Sequence, residues 1–149
     1  MQKKLQLLTG AHIALWIATA AWAALSETGL VPTDYAAPSP ETTYALDMLS
    51  IATAIGGGWA AMRLLSLEYV RRKIADAPLP AALAAYGRWA SLRLAVMGLA
   101  LWYNVAVYYA CTAHTTAAYC LLIAAGASLF CIPSVKDFEA LRSNNGKKP

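Results

Sequence analysis

The chain has 149 residues, 59% of them hydrophobic and 13% charged, with a formal net charge of +4. Soluble domains carry about 25% charged residues, so the polar shell of a water-soluble globule is missing here. Intrinsic disorder, which goes with low hydrophobicity and high net charge, is excluded too, leaving an all-α polytopic membrane protein with one expected domain, residues 1–149.

Four apolar segments are long enough, at roughly 20 residues, to cross a hydrocarbon layer as helices. Length decides these assignments, because periodicity carries nothing in a fully apolar run. The first covers residues 5–25 and is uncharged apart from the titratable His12. Lys3-Lys4, this run and Ala21-Trp22-Ala23 have the outline of a signal peptide. The run is longer than a usual h-region, and Gly10 and His12 dilute its first half, so a retained helix is expected. Residues 26–43, rich in Pro, Ser and Thr, read as an external loop.

The second span covers residues 44–67, with Asp47 near its start and Arg63 near its end. Residues 68–81 form a cytoplasmic loop in which the helix continues to about Ala75, until Ala77-Pro78-Leu79-Pro80 stops it. The third span, residues 82–110, carries Arg88 and Arg93 in its first half. A connection as short as Ala110–His114 makes the third and fourth spans an antiparallel hairpin, the fourth covering residues 115–135. In the cytoplasmic tail, residues 134–149, Ser134 stands three residues before Asp137 in the manner of a capping box. Val135, Phe138 and Leu141 then recur at spacing three, which predicts a short interfacial helix before a frayed end from Asn144.

Four crossings place all 12 Lys and Arg residues on one face. The opposite face receives Glu27, Asp34, Glu41 and Asp47 and no basic residue. The positive-inside rule then makes both termini cytoplasmic. Trp22, Tyr35, Tyr44, Tyr108, Tyr109 and Tyr119 fall near the outer boundary and Tyr69, Tyr86 and Trp89 near the inner one, as an aromatic belt requires. Trp16, Trp59 and Trp102 lie deeper and are expected to fill space between helices.

Two groups of residues are candidates for function. Ser50, Ala54 and Gly58 recur at steps of four beside Gly56 and Gly57, a small-residue face that lets helix backbones approach closely. It serves either the bundle itself or, at Gly56–Gly58, a partner. The second group is polar, and polar residues are costly inside a membrane. On a helix of 3.6 residues per turn, Arg93 and Asn104 fall within about 20° of each other, with Tyr86, Met97, Ala100 and Tyr108 on the same side. His12, Trp16, Thr19 and Ser26 form a comparable stripe on the first span. An inward-opening cavity lined by His12, Arg63, Arg88 and Arg93 would suit an anionic headgroup, carboxylate or phosphate, while snorkelling explains Arg63 and Arg88 equally well.

Catalytic templates fail. There are no paired intramembrane carboxylates, no HExxH, no GxSxG and no phosphate loop, so no catalytic residue is assigned. Cys111, Cys120 and Cys131 sit among apolar residues without CxxC spacing and read as buried free thiols, so neither a metal nor a cofactor is implied. The expectation is a non-enzymatic helix-packing or assembly protein of a bacterial inner membrane. Its partners would be anionic lipid on the basic face and either a second copy or another membrane protein, with no nucleic acid. The alternative is an oligomeric small-solute transporter or channel-like module lined by the two stripes.

Overall fold

The computed structural model describes residues 2–30, 39–111, 115–132 and 134–143, with residues 2–5, 135 and 142 described by backbone alone. The centre of the expected external loop, with Asp34 and Tyr35, lies outside the described residues, as do His114 and the tail 144–149 with Lys147 and Lys148. All regular structure among the described residues is helical: α1 (Gln2–Glu27), α2 (Pro40–Ile51), a π turn (Ala52–Gly56), α3 (Gly57–Leu64), α4 (Glu68–Ala75), α5 (Leu79–Ala110), α6 (Thr115–Leu129) and α7 (Val135–Ser143). Gln6–Glu27, Pro40–Ala75 and Leu79–Ala110 are each long and apolar enough to cross a membrane.

Local chemistry explains most helix ends. Gly29 takes φ 72°, which lets the Gly29 N–H reach the Ser26 carbonyl and the Leu30 N–H reach that of Leu25. That pair of bonds is a Schellman closure, where glycine carries no Cβ penalty. α2 starts at Pro40, four residues before the expected boundary, because Ser39 caps it: the Ser39 hydroxyl accepts from the Thr42 N–H at 3.3 Å and Pro40 opens the first turn. What read as loop at residues 39–43 is therefore a helix start.

Two other boundaries also differ from expectation. The second span does not run on to Ala75. It breaks after Leu64, where Leu67 is extended (ψ 129°). This turn buries Leu65 and aims the apolar edge of α4, Val70 and Ile74, at Ala82, Tyr86 and Phe138. An amphipathic helix buries its apolar side against the bundle base rather than continuing the axis. α6 ends at Leu129, six residues short of the expected limit.

α5, 32 residues long, is the central element. α1 runs parallel to it: Leu15 meets Gly98, Trp22 lies edge-on to Trp102 at 5.3 Å, and the Tyr109 hydroxyl reaches Glu27 at 3.0 Å. α2 and α3 run antiparallel to α5, with the Tyr103 hydroxyl on the Leu46 carbonyl at 3.4 Å and Gly57 against Ala100 and Val96. α6 returns antiparallel to α5, and α7 docks on its first turns through Phe138, edge-on to Tyr86 at 5.5 Å. There the Tyr86 hydroxyl donates to the Ser134 carbonyl at 3.3 Å. The expected interfacial helix is thus held by α4 and α5. This connectivity places Arg63, Arg71, Arg72, Lys73, Arg88 and Lys136 at one end of the bundle, and Glu27 and Glu41 at the other.

Candidate functional site

α1 meets the bundle along Leu8, His12, Leu15, Thr19, Trp22 and Ser26, each buried or half-buried. Their alternating steps of four and three form the seam by which a helix follows a neighbour. The inward side of α5 buries Tyr86, Arg93, Met97, Ala100 and Asn104, where Ala100 and Asn104 meet α3 and the π turn rather than α1, with Tyr108 half-buried at the far end. Both polar stripes read from the sequence therefore point inward.

Arg93 is 8% exposed. One of its terminal nitrogens donates to the Phe130 carbonyl at 2.9 Å, just beyond the end of α6. A cation at a helix C-terminus meets both an orphan carbonyl and the negative end of the dipole. The Arg93 Nε–H has no hydrogen-bond partner. His12 is 3% exposed and has no partner at Nδ1 or Nε2; it precedes Leu15 by three residues as Arg93 precedes Gly98 by five, and Leu15 packs on Gly98. One turn along α1, the buried Trp16 Nε1–H is also without an acceptor.

Asn104, fully buried, donates to the Ala100 carbonyl at 2.8 Å and to Thr53 Oγ1 at 3.4 Å, while its Oδ1 has no partner. Thr53, in the π turn, donates in turn to the Ser50 carbonyl at 3.0 Å. Asn104 thus bridges two helices and lies apart from the His12–Arg93 pair.

Arg63 and Arg88 do not join that pair. Both are exposed; Arg63 lies over the Trp59 ring at 5.8 Å. Their long stems reach the bundle surface, where a charged head stays solvated, so the four residues expected to line one cavity divide between surface and interior. Trp59 also points outward, 62% exposed, rather than filling space between helices.

The small-residue face is consumed within the chain. Ser50, Ala54 and Gly58 are buried, and a Cβ at Gly58 would stand 3.3 Å from the Ala127 Cβ. Gly57 faces Ala100, so only Gly56 of that run opens outward. Elsewhere, Ala11, Ala14, Ala18, Ser91, Ala95 and Gly98 line an open groove of about 640 Å³ between α1 and α5, with Trp102 also in its wall. The first span holds seven alanines between Leu5 and Leu25, but the groove's location could not be read without knowing that α1 lies beside α5.

Cys111, Cys120 and Cys131 are buried thiols, and among the described residues no group of three His, Cys, Asp or Glu side chains comes together. Comparison with family models, curated proteins and solved structures finds no match.

Proposed function

We propose that the chain is a four-crossing protein of a bacterial inner membrane, with cytoplasmic termini, that works by assembling with another transmembrane helix. Its basic cytoplasmic face holds anionic lipid. The α1–α5 groove carries this reading: six of its ten lining residues are small, they come from two parallel helices, and nearly all of the lining is apolar. Small residues on facing helices allow the backbone approach that drives association in lipid, where no hydrophobic effect acts between helices. A second copy supplies a matching surface. On α1, Gly10, Ala14, Ala21 and Ala24 face outward, with open space beside Gly10.

The test is disulfide crosslinking in native membranes. With Cys111, Cys120 and Cys131 replaced by alanine, Ala14→Cys is expected to give a dimer, and adding Ala95→Phe to fill the groove is expected to abolish it. Strictly monomeric protein with no co-purifying subunit overturns the assembly reading. The second reading, a solute path lined by the stripes, is favoured by the unpartnered polar atoms of His12, Arg93 and Asn104 and requires that those stripes be wet.

A further inference from the structure

The α1–α5 groove is open on its outer side, and the helix faces around it decide what fits. α1 is the least covered of the three long spans: 11% of its apolar stretch is buried, against 50% for that of α5. Its seam on α5 runs along Leu8, His12, Leu15, Thr19, Trp22 and Ser26, with Leu15 against Gly98. At 3.6 residues per turn, Ala11 and Ala18 lie about 60–80° round α1 from the centre of that seam, and Ala14 and Ala21 about 120–140° in the same sense. Ala11, Ala14 and Ala18 wall the groove, and Ala14 and Ala21 are exposed. No Lys, Arg, Asp or Glu lies between Gln6 and Ser26, so two identical copies of this face meet no like charge. The other outward faces carry bulky side chains, Met48, Ile55 and Trp59 along α2, the π turn and α3, and Tyr119, Leu122 and Ile123 along α6. Such side chains hold backbones apart where small ones let them close.

We propose that two copies of the chain pair about a two-fold axis parallel to the helices, each α1 seated in the groove of the other. This rests on the assembly reading and names its partner. Every copy inserts the same way round, because the same basic residues orient it, so the α1 of a second copy runs parallel to both groove walls. At similar interaxial distances, a helix lying in the groove between two touching helices stands about 60° round from their line of contact. Two-fold symmetry then puts the second copy's α5 about 60° further on. Those are the two directions in which α1 carries small residues. Ala11 and Ala18 meet the same residues of the second α1, and Ala14 and Ala21 meet its α5. Wall and insert are one surface, as an isologous interface requires.

The test is the crosslinking pattern along α1 in native membranes. With Cys111, Cys120 and Cys131 replaced by alanine, Ala11→Cys and Ala18→Cys are each expected to give a disulfide-linked product of twice the chain mass. Ile13→Cys and Ala20→Cys, exposed on the opposite side of α1, are expected to give none. In the chain with its native cysteines, light scattering in detergent is expected to show a dimer. Ala11→Trp weakens that dimer about tenfold or more, the scale of overpacking a close contact, and Ile13→Trp leaves it intact. A dimer that crosslinks at Ile13 or Ala20 instead, or not on α1 at all, overturns the pairing and leaves the assembly reading standing. So does a crosslinked product that contains a different protein. Monomer throughout overturns both. Should the cysteine-free background lose its fold, the tryptophan variants decide alone: a dimer unchanged by Ala11→Trp overturns the pairing.

Discussion

At Gly58 a single hydrogen atom decides how closely α3 approaches α6. A Cβ there would lie 3.3 Å from that of Ala127, so Gly58→Val forces these helices apart. The expected cost is about 1–3 kcal/mol, typical of overpacking, seen as a lower Tm in detergent. Gly126 is the control, because nothing lies within 4 Å of its would-be Cβ. Gly126→Ala is expected to be neutral or to gain up to about 1 kcal/mol of helix propensity. Asn104 separates a sealed bundle from a wet path. Its side chain is fully buried and bonded across to Thr53. In a protein lacking the three native cysteines, Asn104→Cys and Met97→Cys are therefore expected to resist a water-soluble maleimide in intact membranes. Rapid labelling at both would favour the transport reading over assembly.

Helix by helix, the weakest attachment is α7, nine residues held chiefly by Phe138 and Leu141 against α4 and α5. Phe138 is 2% exposed, and Phe138→Ala is expected to cost about 3–5 kcal/mol locally, freeing α7 while leaving α5 and α6 in place. Limited trypsin digestion reads this out as faster cleavage after Lys136 than in the wild type. Tyr86→Phe loses only the bond to Ser134, about 1 kcal/mol, and should leave the digestion pattern almost unchanged. The inward face of α5 was legible in the sequence, since the 20° relation of Arg93 to Asn104 needs only helix geometry. The start of α2 was written in Ser39-Pro40 but masked by the turn-rich composition around it. The end of α6 had one local signal, Pro133, which has no N–H to give the Leu129 carbonyl, but Phe130, Cys131 and Ile132 continue the apolar run and hid it. At that end the Arg93 guanidinium takes the Phe130 carbonyl, a tertiary contact. For the same reason, inward-pointing candidates such as His12 and Arg93 could be named from the sequence, but their pairing could not.

For the whole molecule, the open quantity is the number of crossings, and α6 decides it. Its 15 residues span about 22 Å at 1.5 Å per residue, short of a hydrocarbon core of about 30 Å. Length alone would therefore count three spans. The proposed four crossings rest on neighbour relations: α6 runs back along α5 until Phe130 reaches Arg93, and Phe138 in α7 reaches Tyr86 near the start of α5. A chain returning to the level at which α5 began crosses whatever α5 crosses. In the proposed topology the shortfall is met at the basic end, where Arg93 takes the Phe130 carbonyl. Leu8 belongs to the same basal cluster as Tyr86 and Phe138, so α1 begins at this end as well. Reporter fusions active on one side of the membrane only, placed in turn at the two termini, are therefore expected to agree and to report the cytoplasm, the side favoured by basic residues. If α6 does not cross, the two fusions report opposite sides, and the four-crossing topology falls together with a basic face gathered on one side of the membrane.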